Sequence, residues 1–394
     1  MKYKSSSLIK NYLIISLISI IITLYLSEFY FTFINGNNKY PITLEEKAQI
    51  YKKITGNEYD TRSKLEFYKD LKSKNLQTSV AVPPFHFIGK KNTLFPLSSK
   101  SNTTLVNCNE NGYYSTYESD RYGFNNPNSE WDKKEIEFVL IGDSFVHGDC
   151  VNRPNDIGSV LRLVSNKSVL NLGQKGNGPL IEYATLREYL KTNVANIIWI
   201  FHENDIVNLS YELTSNKLNN YLNDINFNQN LKEKQQLIDS IVLAAELGFF
   251  NQGKRATKNL NKNDKKKYKV LKFIRIDKTK KIFKNYFLND KTLVFAKFKH
   301  ILKQAKNLSL ENGSNLYFVY LPKYPGDEKH NRDKLFTTVK KITKELEIPF
   351  LDMNKLVFAK EDNPKKLYPF EKKGHFNIEG YKKITEAIYD FTSD

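Results

Sequence analysis

Residues 138–151 read FVLIGDSFVHGDCV: an apolar run, then Gly-Asp-Ser, then a turn that opens a helix. Extended back to Ile136, the run IEFVLIG has the length and branched content of a buried strand, with Ser144 just past its end. Position alone lets Ser144 cap the following helix. Whether it also does chemistry depends on what else the fold brings to that point.

The surrounding pattern alternates. RPNDIGSVLRLVS places Pro154 for a helix start, SVLNLG (168–173) is a second strand, GPLIEYATLREYLK an amphipathic helix and NIIWIF (196–201) a third strand. The alternation resumes late: a helix over 291–311, the strand NLYFVYLP (315–322), a helix over 331–346, IPFLDM (348–353), and a last helix IEGYKKITEAIYDFT. Strands alternating with helices predict an α/β domain, its parallel sheet covered on both faces. Residues 131–394 are read as that domain. The Lys- and Asn-rich stretch 211–290 is too long for an ordinary connection and is read as an insertion or cap, or else a solvated excursion without a role.

The chain has 394 residues, enough for one large domain with additions, and 61 Lys and Arg stand against 43 Asp and Glu, a surplus of +18. That surplus is mostly Lys and accompanies heavy use of Asn, Ile, Tyr and Phe; no nucleic-acid module is recognisable, and no nucleic-acid partner is expected. An anionic membrane or polysaccharide is the better use of the charge.

From Asn11 to Ser27 the chain carries no charge, and after Glu28 it is apolar again to Ile34. Residues 11–34 are long enough to span a bilayer. Lys2, Lys4 and Lys10 precede the run, so residues 1–10 stay in the cytoplasm and the rest crosses. The large aromatics of YLSEFYFTF do not suit a cleavage site, so an uncleaved anchor of a bacterial cytoplasmic membrane is expected. Residues 35–130 read as a polar, partly helical stalk and N-terminal extension, with turn-rich structure at 108–131. Cys108 and Cys150 both lie beyond the anchor, where a disulfide is permitted; two unpaired buried cysteines are the alternative. Neither shows metal-ligand spacing.

In an open α/β sheet, functional groups collect where strands end. The early strands end in GDS, NLGQKGNG and HEND, and the late segment supplies EKKGHFNIEGY. Acyl transfer by a serine needs a hydroxyl, a base, and donors aimed at the oxyanion. Ser144 would be the nucleophile and His375 the base; the Ser144 and Gly173 N–H groups and the Asn204 amide would be the donors. His147 and Trp199 are read as packing residues, and Asp143 as shaping the nucleophile loop.

This ordered set resembles the SGNH, or GDSL-type, hydrolases. The resemblance covers roughly 131–210 and 290–394, and rests on Ser144 in GDSFVHG, Gly173 in NLGQ, Asn204 in HEND and His375 in GHFNIEGY. YESDRYGFNN also looks like the lead-in of membrane-anchored members that modify surface polysaccharides. The resemblance implies a flavodoxin-like three-layer α/β/α fold and a serine esterase without metal or organic cofactor. Its substrate would be O-acyl, especially O-acetyl, esters of a cell-surface glycan, or another small ester. An acyltransferase of the same fold and a catalytically silent glycan-binding or scaffolding protein are the alternatives. Two departures stand out: His202 replaces the Gly that usually opens the third block, and Lys372 stands where a carboxylate is usual, three residues before the histidine. Glu371 is the nearest substitute to orient His375; the other possibilities are a Ser-His dyad held by a backbone carbonyl, and Asp352.

Overall fold

A computed structural model describes residues 2–31, 44–256, 273–277, 279–280, 291–325 and 329–393. Parts of the expected anchor (32–34), stalk (35–43) and insertion (257–272, 278 and 281–290) lie outside the described residues. The chain divides into two units, Met1–Ile42 with Gly253–Thr292, and Thr43–Gln252 with Leu293–Asp394.

In the first unit, α1 (Lys2–Phe29) contains a 20-residue stretch, Lys10–Phe29, of mean hydropathy 2.0. Its apolar side chains stand open on every side, from Leu13 and Ile14 to Ile21 and Ile22. A helix this long and apolar can cross a bilayer. Near its end, Glu28 is buried and accepts the Thr279 N–H at 2.7 Å, and the Tyr25 hydroxyl donates to the Ile274 carbonyl at 3.1 Å.

The second unit begins with α2 (Leu44–Thr55) and α3 (Lys64–Lys74), the latter started by a capping box between Ser63 and Glu66. Its stretch was expected to be a stalk, yet Phe67, Tyr68 and Leu71 pack against the main core. Three short strands, β1 (Thr78–Val80), β2 (Thr104–Val106) and β3 (Thr116–Glu118), form a small sheet, parallel between the first two and antiparallel between the last two.

The main elements follow in chain order: β4 (Ile136–Gly142), α4 (Ser144–His147), α5 (Ile157–Ser165), β5 (Val169–Asn171), α6 (Pro179–Tyr189), β6 (Val194–His202), α7 (Asp205–Glu212), α8 (Asn216–Asn223) and α9 (Gln235–Ala256). After them come α10 (Lys291–Glu311), β7 (Asn315–Leu321), α11 (Lys329–Glu345), β8 (Phe350–Asp352), α12 (Met353–Leu356) and α13 (Ile378–Ser393). The five long-sheet strands are all parallel in the order β5-β4-β6-β7-β8. Counted within this domain that order is 2-1-3-4-5, the flavodoxin-like arrangement, so the α/β fold expected from the alternation is the one observed.

Period-two alternation builds the layers. Val139 and Ile141, Ile197 and Trp199, and Phe318 and Tyr320 face one cluster; Phe138 and Leu140, Ile198 and Ile200, and Val319 and Leu321 face the other. Helices α6 and α10 cover the first face through Leu180, Ile181, Phe298 and Ile301, and α5 and α13 cover the second through Ile157, Leu161, Tyr381 and Ile384. Part of the stretch read as an insertion also belongs to this core: Leu218, Tyr221 and Leu222 of α8 and Ile238 and Val242 of α9 are buried in the first cluster. Through that apolar face these two helices pack into the core.

Candidate active site

The order of the sheet reverses between β4 and β6, and the carboxyl ends of β5, β4 and β6 meet at that point, where α/β sheets bind ligands. Asp143 caps the short turn α4, its carboxylate accepting the Phe145 N–H at 2.9 Å. The cap is therefore Asp143, and Ser144 is the first residue of the turn, buried to 8% exposure. Two residues past β5, Gly173 lies against this turn: a Cβ there would stand 2.6 Å from Val146 Cβ and 2.7 Å from the His147 nitrogen. Glycine is what lets the second strand's loop press on the nucleophile turn.

His375 arrives from the loop before α13. Its Nε2 lies 2.8 Å from Ser144 Oγ. The ring is wedged beside Phe145, with centroids 5.1 Å apart, and Phe145 in turn packs on the fully buried Phe376.

The carboxylate that meets His375 is Glu110. Its Oε2 accepts the His375 backbone N–H at 2.7 Å and faces Nδ1 at 3.1 Å. One carboxylate oxygen thus fixes both the main chain and the ring, holding the proton on Nδ1 and leaving Nε2 to accept from the serine hydroxyl. Gly374 makes room, because a Cβ there would come within 2.6 Å of that same oxygen. Burial pushes the Glu110 carboxyl up, but His375's hydrogen bond and charge outweigh it and hold it below the usual range. For His375, burial disfavours the charged ring, yet the Glu110 hydrogen bond and the Asp149 and Glu110 charges raise its pKa overall.

Glu110 was not anticipated, and the expectation for Glu371 is corrected here. Glu371 is exposed in left-handed backbone (φ +54°), and its carbonyl accepts the Tyr324 hydroxyl at 2.5 Å. Asp352 caps α12, accepting the Lys355 N–H at 3.3 Å. The signal that could have found Glu110 was the cysteine pair. Cys108 and Cys150 form a disulfide, which ties the segment two residues before Glu110 to the one six residues after Ser144. Glu110, Cys150 and His375 bring one ligand atom each within 4.8 Å of one another. The cysteine sulfur is spent in the disulfide, so no thiolate is offered to a metal.

Two of the three expected oxyanion donors are engaged. Gly173 N–H donates to Asn171 Oδ1 at 2.9 Å, and Asn204 Nδ2 donates to Asp143 Oδ2 at 3.1 Å while its Oδ1 contacts His202 Nδ1. His147 is buried, its Nδ1 2.9 Å from Asp149 Oδ1, and faces the ring of Tyr117. Trp199 is fully buried, donating to Glu182 Oε2 at 2.7 Å.

No family model matches the chain, and no curated protein does. Among solved structures it is similar to a lipolytic protein of the G-D-S-L family from Veillonella parvula, at 12% identity and TM-score 0.38 over 66% of this chain and 98% of that one. It is also similar to the acetylxylan esterase Axe2 from Geobacillus stearothermophilus, at 11% identity and TM-score 0.35 over 65% of this chain and 93% of that one. Likeness at this level says nothing about activity, and the chemistry of the site rests on its own atoms.

Proposed function

We propose that this chain is a serine esterase of the SGNH type, held to a membrane by α1, with its catalytic unit in an oxidising compartment outside the cytoplasm. The observation that carries the reading is the line Glu110–His375–Ser144, with carboxylate to Nδ1 at 3.1 Å and Nε2 to Oγ at 2.8 Å. A nucleophile, a base and a group that orients the base, all in hydrogen-bond reach, are what acyl transfer through serine requires.

In this reading His375 Nε2 takes the Ser144 proton as Oγ attacks the acyl carbon, and Glu110 stabilises the imidazolium. The Ser144 N–H and the Asn204 amide, released from Asp143, receive the oxyanion; Gly173 contributes through close packing of the turn, since its N–H is held by Asn171. Collapse passes the proton to the leaving alcohol, and water or a sugar hydroxyl then resolves the acyl-enzyme. The substrate class is an O-acyl ester, with acetyl groups on a cell-surface glycan the expected target. The apolar span of α1 supports the anchor, and the disulfide suits an extracytoplasmic site. With Glu110 on His375, the lysine at 372 no longer favours a silent member.

A fluorophosphonate probe tests this. Covalent labelling of the full-length protein, lost in Ser144→Ala and in His375→Gln, is expected; absence of labelling in folded protein overturns the proposal.

A further inference from the structure

His375 faces a second carboxylate. Asp149 is fully buried among charged and polar neighbours. Oδ1 lies 2.8 Å from Asn107 Nδ2 and 2.9 Å from His147 Nδ1; Oδ2 lies 2.9 Å from Lys175 Nζ and 3.7 Å from His375 Nε2. Its backbone N–H donates to the Ser144 carbonyl at 3.0 Å, and its own carbonyl accepts the Tyr381 hydroxyl at 3.1 Å. The residue is therefore fastened to the nucleophile turn and to α13, the helix that follows His375.

Burying a carboxylate costs several kcal/mol unless it is paired, and a structural ion pair with Lys175 would account for burial alone. It would not account for the second neighbour. Oδ2 also lies 3.7 Å from Nε2, the ring nitrogen that faces Ser144, and the carboxylate on Nδ1 is that of Glu110. The groups facing His375 are then Glu110 at Nδ1, Ser144 and Asp149 at Nε2, Lys175 behind Asp149, and His202 across Phe145. Lys64 is in turn influenced by the Asp149–Lys175 pair.

We propose that Asp149 is a second positioning carboxylate, acting through His375 from its nucleophile-facing edge, with Lys175 as the counter-charge that tempers it. When the Ser144 proton moves to Nε2, the imidazolium forms between two carboxylates. Asp149 neither takes nor gives a proton; the proton goes from Oγ to Nε2 and later to the leaving oxygen. Lys175 keeps the resting ring from being held charged, so the pair sets how basic His375 is. Burial pushes the Asp149 carboxyl up, but Lys175, His147 and His375 hold it well below the usual range, so its charge is constant where His375 titrates.

This rests on the Ser144–His375 reading, and the test separates the two. Full-length protein in detergent, carrying ¹³C-histidine, is titrated by NMR, with the His375 signal identified by its loss in His375→Gln. Asp149→Asn should lower the His375 midpoint by roughly one pH unit, and Lys175→Met should raise it by a similar amount. The acid limb of kcat/KM on p-nitrophenyl acetate should follow in the same two directions. Shifts of the same sign, or none in either variant, overturn the proposal. Should Asp149→Asn not fold, the half-exposed Lys175 still decides by the sign of its shift. Opposite shifts in the two variants, with no ester hydrolysed by the wild-type protein, would sink the esterase reading alone.

Discussion

Glu110 Oε2 bonds the backbone N–H and the ring of His375 at once, from a position 265 residues away in the chain. A carboxylate on Nδ1 sets which nitrogen of the base carries the proton, and in serine hydrolases its loss costs up to about 10⁴-fold in rate. Glu110→Gln is accordingly expected to lower kcat/KM for p-nitrophenyl acetate by roughly 10²- to 10⁴-fold, with circular dichroism unchanged. Glu371→Gln should leave the rate within about twofold, as expected of an exposed side chain. If Glu371→Gln instead proved the damaging variant, the assignment of Glu110 would be wrong.

The disulfide joins residues 42 apart, a loop whose closure is worth on the order of 4 kcal/mol in the chain-entropy picture. Reduction, or Cys108→Ser with Cys150→Ser, should lower Tm by roughly 10 °C. Activity at 25 °C should fall at least about tenfold, because the segment that presents Glu110 is loosened. Differential scanning calorimetry and esterase assays with and without a phosphine reductant check both. An unchanged rate in protein shown by mass to be reduced would separate the disulfide from the site.

His375 must be neutral to accept a proton, so activity is low below its pKa and gained above it. Its pKa lies above the ordinary 6.5, through Glu110's hydrogen bond and the two nearby carboxylates working against burial. The acid limb of kcat/KM should therefore have its midpoint above pH 6.5. In Glu110→Gln that midpoint should move to lower pH even as the plateau drops.

Glu212 is fully buried at the start of α6, accepting the N–H groups of Gly178 at 2.5 Å and Leu180 at 2.9 Å. Burial raises its carboxyl to about 8 against those bonds. A pKa raised on folding means the native state holds the proton more tightly. The associated stability is full below about 4.5 and is lost as pH rises through about 8. Urea unfolding should accordingly show stability falling by up to about 1.4 kcal/mol per pH unit across that window, and Glu212→Gln should flatten the fall. A profile just as steep in the variant would assign the loss to other groups.

What the sequence disclosed follows from where periodicity operates. Strand β4 is legible as IEFVLIG because every residue of it is buried or nearly so, and β6 and β7 because their apolar runs fill both faces of a parallel sheet. Ser144 and His375 were legible because they sit at fixed places relative to such elements. Glu110 sits in irregular backbone in a turn-rich stretch, where no period marks a side chain as facing anything. The local environment of Glu371, a left-handed turn that aims it outward, was equally invisible. The packing of α3 and α8 was illegible for a different reason. α3 lays the partly buried Phe67, Tyr68 and Leu71 on the core, and α8 buries Leu218, Tyr221 and Leu222, each a narrow stripe in a helix otherwise rich in Lys or Asn, so composition alone did not show the packing.

The chain order of the Glu110–Ser144–His375 line, carboxylate then serine then histidine, has a practical consequence for the proposed reading. A fragment begun at β4 would contain the whole parallel sheet, the serine and the histidine, and would still be missing the carboxylate that orients them. A reading that looks only at the residue three places before the histidine finds a lysine, while the carboxylate on its ring is carried in on the other side of a sulfur–sulfur bond.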